Sequence, residues 1–183
     1  MSDKMLVAHC SPTLAGIKTG NLFSCSYHDR KEVYSFLRKW NSRLSSKGVR
    51  LLPLCLKDGK ALIYVYRPSK LNSDLRDDKV CDLLFERGYC VENCSKCLAG
   101  LMQRLGECGE FPHEIGLFLG YPPEDVKGFI ENKACDSKCV GCWKVYGDAD
   151  KAQKEFDKFK KCKKVYQKQW EDGKPITKLT VSR

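Results

Sequence analysis

Long apolar runs are missing from this 183-residue sequence. The longest, Leu51 to Leu56 (with Pro53 inside) and Ala61 to Tyr66, are far too short to cross a bilayer, so no membrane role is expected. Met1 to Ala8 carries charges where the apolar core of an export signal would have to stand, and a cytoplasmic protein is expected. No glycine-rich phosphate loop, no Ser-His-Asp arrangement and no low-complexity linker is legible. His113-Glu114 has no second histidine four residues later, which excludes the zincin motif. A content of 42% hydrophobic and 31% charged residues excludes a disordered chain, and the length suits a single domain over residues 1–183.

What the sequence has in excess is cysteine, 12 residues in all. In an exported chain that number would mean a disulfide framework. With no export signal read, and enough length to fold without staples, the thiols are expected to be reduced and to bind metal or do redox chemistry. Charge is the second excess, at a net +10 that is unevenly spread. Residues 1–80 carry 15 basic and 7 acidic side chains, residues 81–134 carry 5 and 9, and residues 135–183 carry 13 and 7. Such a field could draw in nucleic acid or an acidic protein, but solubility is the ordinary explanation and is preferred.

The pattern along the chain predicts an α+β fold. A small antiparallel sheet with helices occupies about residues 1–88, and about residues 89–183 are mostly helical. Asn21 to Tyr27 reads as a strand. Asp29 and Glu32 have the spacing of a capping box, and Val33, Phe36, Leu37, Trp40 and Leu44 follow at helical spacing up to Gly48. Val49 to Leu56 and Ala61 to Arg67 flank Lys57-Asp58-Gly59-Lys60, whose Asp-Gly pair predicts a tight hairpin that Pro68 closes. Short helices are expected around Leu71–Leu75 and Val80–Arg87, then one over Glu92 to Leu105. Another should open at Pro112 and run to Leu119, and one should start at Pro122-Pro123. The last helix begins at Asp148 or Asp150, with Ala152, Phe156, Phe159, Cys162, Tyr166 and Trp170 on its apolar face. Lys151, Lys154, Lys158, Lys160, Lys161, Lys163, Lys164 and Lys168 cover its polar side. Because its aromatics share the apolar face, a nucleic-acid interface ranks last among the functional readings.

Two segments spell C-x3-C-x2-C: Cys90, Cys94, Cys97 and Cys135, Cys139, Cys142. The second is the sharper signal. A C-x2-C pair on a turn can aim two sulfurs at one ion, Gly141 eases the turn, and Lys133, Lys138 and Lys144 nearby favour thiolates. Three thiolates suit an iron–sulfur cluster, or a zinc ion completed by a fourth ligand from Cys162, Cys108, Cys10, His113 or His9. The spacing is also that of radical S-adenosylmethionine enzymes, but the triplet comes too late in too short a chain. A thioredoxin-type dithiol at Cys139/Cys142 needs a preceding strand that Glu131 to Ala134 does not resemble. In the first triplet, Cys94 and Cys97 fall on a helix's apolar stripe, where cysteine acts as a small hydrophobe. His9-Cys10 and His113-Glu114 are candidate catalytic pairs, since an imidazolium lowers a neighbouring thiol pKa. Adjacent residues in an extended chain point apart, however, and a first-turn histidine is often a surface residue. Whether the protein is an enzyme stays open at this point.

His9 to Phe23 (HCSPTLAGIKTGNLF), Phe111 to Asn132 (FPHEIGLFLGYPPEDVKGFIEN) and Lys138 to Asp148 (KCVGCWKVYGD) together resemble an uncharacterised bacterial family found chiefly in strict anaerobes. The resemblance implies no established activity. Through members encoded beside flavodoxin and ferrous-iron uptake genes, it implies an iron or redox role with a partner such as flavodoxin. Its blocks include His9, Cys10, His113, Glu114, Cys139 and Cys142, and those residues are expected to share one site. Cys90, Cys94 and Cys135 do not obviously belong to them.

Overall fold

The structure, a computed structural model, describes residues 2–107 and 111–182. It divides into two compact units, Met1–Lys70 with Lys161–Arg183, and Leu71–Lys160. The fold is α+β, with a small antiparallel sheet followed by a mostly helical C-terminal half.

The first unit is built on three antiparallel strands: β1 (Gly20–Ser26), β2 (Arg50–Lys57) and β3 (Lys60–Tyr66), with β3 in the centre. Asp58 and Gly59 join β2 to β3 with φ of 50° and 70°, the left-handed pair that a two-residue hairpin of matching twist requires. Alternation along β3 sends Ala61, Ile63 and Val65 to one face. There they meet α1 (Lys4–Leu14), α2 (Arg30–Leu44) and the short α9 (Ile176–Leu179) in one core. Pro53 donates no ladder hydrogen bond, and it sits where proline is tolerated: on edge strand β2, beside a register shift between Pro53 and Cys55. The Asp29 side chain caps α2 by accepting from the Lys31 amide, and Gly48 (φ 73°) ends the short 3-10 turn that follows α2.

Arg67, just past β3, is 1% exposed. Its Nε donates to Thr13 O at 2.7 Å, and Nη2 donates to Leu14 O at 2.8 Å and Val181 O at 2.7 Å. One guanidinium thus satisfies carbonyls at the end of α1 and in the C-terminal segment, tying together parts of the chain that no strand pairing joins.

The second unit contains α4 (Asp78–Glu86), α5 (Cys94–Gly106), the single turn α6 (Ile115–Phe118), α7 (Pro123–Glu131) and a short hairpin of two-residue strands, β4 (Cys139–Val140) with β5 (Lys144–Val145). The boundary between the units falls within α3 (Pro68–Asp74) and within α8 (Ala149–Glu171). Asp77 and Asn93 cap α4 and α5 with their side chains, and Gly88 (φ 75°) turns the chain back after α4. Phe156 and Phe159 of α8 are buried in the second unit, while Tyr166 and Trp170 pack on the core of the first. Among the described residues no helix is long and apolar enough to cross a membrane.

The sequence reading misses α1, in which Pro12 and its Ser and Thr neighbours mask the helical pattern, so His9 and Cys10 lie on a helix rather than in an extended segment. The helix expected from Pro112 to Leu119 shrinks to α6. Its own first amides, of Ile115, Gly116 and Leu117, bond three residues back, to Pro112, His113 and Glu114. Those amides are already satisfied within the chain.

Candidate functional site

The last two cysteines of the second triplet are carried by the β4–β5 hairpin, and a carboxylate distant in sequence shapes it. Asp125, in the first turn of α7, is 3% exposed. Its Oδ1 accepts from the Tyr146 amide at 2.8 Å and the Gly147 amide at 2.7 Å, and its Oδ2 accepts from Trp143 Nε1 at 2.7 Å. Three charge-assisted bonds from one buried side chain fix the returning strand of the hairpin. Trp143 then stacks on Tyr121 (centroids 4.7 Å apart) and meets Phe156 edge-on at 4.6 Å. Gly141 does not have left-handed backbone, so it is not there to ease a turn. Its role is close approach, because a Cβ at that position would lie 2.2 Å from the Phe156 ring. The Tyr121 hydroxyl donates to Cys142 O at 3.3 Å, and burial, with Cys142 nearby, pushes its pKa up to about 12.

The residues leading into the hairpin are strained. Lys133, Ala134 and Asp136 have φ of 48°, 63° and 56°, conformations that cost L-residues about 1–3 kcal/mol each. Cys135 sits among them and is exposed, Cys139 is half-buried and Cys142 is exposed. Lys144 Nζ donates to Ala134 O and Lys138 Nζ to Gly147 O, both at 2.6 Å. Two of the lysines expected to favour thiolates therefore also brace the loop. The Tyr146 hydroxyl is covered and has no hydrogen-bond partner, and desolvation together with Cys135 and Asp136 raises its pKa. A covered phenol donor on a half-buried residue thus stands unpaired.

Next to the hairpin lies an apolar cavity of about 180 Å³. Its walls include His113, Tyr121, Asp125, Phe129, Trp143 and Lys144. His113 is half-buried and meets Phe129 edge-on at 4.9 Å. Glu114 turns away into the core of this unit at 3% exposed, where Tyr89 Oη donates to it at 2.9 Å and Arg104 Nη1 lies 3.8 Å from it.

A model of a protein family of unknown function, DUF3793, matches residues 6–180. The chain belongs to that family. No curated protein and no solved structure matches it.

Two of the three blocks that carry the DUF3793 resemblance meet in the second unit. Phe111 to Asn132 supplies His113, Tyr121, Asp125 and Phe129 to the cavity wall, and Lys138 to Asp148 supplies Trp143 and Lys144. The block from His9 to Phe23 lies in the first unit. There Cys10 is fully buried in the core, and burial holds its thiol far above the ordinary range. His9 is exposed and stacks on Phe23 at 6.0 Å, and partial burial with Lys163 lowers its pKa. Of the candidate fourth ligands, Cys162 is half-buried in the first unit, with its thiol pushed up to about 11 by burial. Cys108 lies outside the described residues.

Among the described residues every cysteine is free of disulfide bonding, and no three His, Cys, Asp or Glu side chains stand close enough together to hold one ion. Asp125, Trp143 and Tyr146 are not candidates in the sequence reading. An aspartate in the first turn of a helix reads as dipole compensation, and nothing local reveals that it reaches a hairpin 18–22 residues away.

Proposed function

We propose that this protein is a thiolate-site protein in which Cys135, Cys139 and Cys142 hold a zinc ion or an iron–sulfur centre. Its role would lie in iron or redox metabolism, with exchange of electrons with a flavodoxin-like partner where the centre is iron–sulfur. The observation that carries the reading is the exposed Cys135 thiol within strained backbone, ahead of a hairpin that bears the half-buried Cys139 and the exposed Cys142, with the covered Tyr146 hydroxyl on the same hairpin's exit left unpaired. A thiolate or metal-bound sulfur accepts hydrogen bonds, and a buried phenol without a partner is the donor that such a sulfur lacks. Residues in left-handed backbone near a loop of exposed thiols are what a site held ready for a ligand requires.

The test is metal analysis and absorption spectroscopy of anaerobically purified protein, before and after supplying iron with sulfide, or zinc. Cys139→Ser and Cys142→Ser should each remove most of the bound metal, because a hydroxyl is a poor ligand for soft ions. A chain that takes up neither metal, or binds equally well in both variants, ends the proposal. The cavity beside His113 supports a second reading, a thiol-dependent enzyme whose small apolar substrate sits against Trp143. Stoichiometric labelling of Cys142 by an electrophile, slowed by an apolar ligand, would favour it.

A further inference from the structure

The first cysteine triplet, read from sequence as packing, has company. α5 begins at Cys94, and Cys97 follows one turn later on the same face, 1% exposed. Cys97 Sγ donates to the carbonyl of Cys90 at 3.2 Å, so the exposed Cys90 lies against the start of the helix. Cys81, on α4, donates its thiol proton to Leu75 O at 3.0 Å. Burial pushes the Cys97 thiol up to about 11, and Cys94, Cys90 and Cys81 add to that rise.

We propose that Cys81, Cys90, Cys94 and Cys97 form a second thiolate site, one that takes a single soft divalent ion of the zinc type. The spacings Cys90-x3-Cys94 and Cys94-x2-Cys97 both fall within the range of structural zinc sites. Cys94 and Cys97 occupy the first turn of a 13-residue helix, whose partial positive charge offsets thiolate charge. Lys96 pairs with Glu92 at 2.5 Å, and Glu92 first and Cys90 next raise its pKa. In the structure two of the four sulfurs are held apart by donating to carbonyls. Binding a divalent ion releases the thiol protons to solvent, which removes those two bonds and frees the sulfurs to turn inward. Cys90 and Cys94 are not fully buried and give an ion its way in.

This site is independent of the hairpin cysteines, and the experiment separates the two. The probe is cobalt(II), added anaerobically to the full chain carrying Cys135→Ser, Cys139→Ser and Cys142→Ser. The expected result is one cobalt per chain, with sulfur-to-cobalt charge-transfer absorption and the visible bands of a tetrahedral ion, displaced by zinc. Adding Cys90→Ser, an exposed change that leaves packing intact, should weaken the charge-transfer band, and adding Cys90→Ser with Cys94→Ser should abolish it. Circular dichroism confirms that each variant is folded. A folded triple variant with no charge-transfer band overturns the proposal. So does a band that Cys90→Ser and Cys94→Ser leave unchanged, or a Cys90–Cys97 disulfide in anaerobically purified protein.

Discussion

Replacing Asp125 probes the element on which the hairpin depends. In Asp125→Ala three donors lose their acceptor: Trp143 Nε1 and the amides of Tyr146 and Gly147. An unsatisfied buried donor costs about 1–3 kcal/mol, which gives an upper range of about 3–9 kcal/mol. Tyr146 and Gly147 are only half-buried, so water recovers part of this, and the expected loss is about 3–4 kcal/mol. Asp125→Asn is the sharper test, because the two oxygens have different duties. The amide oxygen can replace Oδ1 and keep both backbone bonds, while the amide nitrogen replaces Oδ2 and sets a donor against the indole N–H. That variant should lose about 1–2 kcal/mol. Adding Trp143→Phe removes the opposing donor, so the two changes should be less damaging together than their sum, with a coupling of about 1 kcal/mol.

Urea unfolding followed by far-ultraviolet circular dichroism gives the stabilities, and amide hydrogen exchange gives the local consequence. The Tyr146 and Gly147 amides should be protected in the parent protein and in Asp125→Asn, but exchange rapidly in Asp125→Ala. If Asp125→Ala unfolds within ~0.5 kcal/mol of the parent, with both amides still protected, the carboxylate does not organise the hairpin.

Phe159→Ala in α8 should cost about 3–5 kcal/mol, since the ring is 8% exposed; a loss near zero in urea unfolding would mean that the aromatic face is not packed. Gly141→Ala should lower stability by about 1–3 kcal/mol by driving a methyl into the Phe156 ring, and thermal melting of the variant against the parent checks it. Cys10 has its folded pKa raised by burial above the unfolded value. Its contribution to stability is therefore complete below the unfolded thiol pKa of about 8.5 and is lost progressively as pH rises above it. Chemical denaturation of the parent and Cys10→Ala across that window should show the parent losing more stability with alkali. Native alkylation mapped by mass spectrometry should leave Cys10 unlabelled while Cys90 and Cys142 react.

The first unit was legible wherever local chemistry and tertiary structure agree. Asp58-Gly59 specifies its hairpin by backbone conformation alone, and the stripe from Val33 to Leu44 specifies α2 by period. Legibility ended where distant groups decide. Arg67 reads as a charged residue after a strand, yet it holds carbonyls from Thr13 to Val181. The strands β4 and β5 are two residues each, too short for alternation to show, and they exist because Asp125 and Phe156 receive them. His113 lines a cavity, whereas Glu114 next to it is engaged by Tyr89 and Arg104 inside the unit.

The two C-x3-C-x2-C segments make the same point about motifs. Identical spelling lands once on a helix start, where the backbone rises 1.5 Å per residue and brings Cys94 and Cys97 onto one face. It lands again on the short β4–β5 hairpin and the segment before it, where Gly141 lets the chain approach Phe156 and the sulfurs are exposed or half-buried. Spacing therefore constrains which thiols can share an ion, but the backbone beneath decides their burial. Burial in turn decides the cost of ionising them: Cys97 is pushed up to about 11, and ion binding there must work against that desolvation. Metal uptake at the α5 site should accordingly be more strongly suppressed by acid than uptake at the hairpin. Cobalt titrations of the two sets of variants at falling pH measure this directly. An α5 site that retains cobalt to lower pH than the hairpin would show that helix-dipole and Lys96 stabilisation outweigh burial, reversing the order argued here.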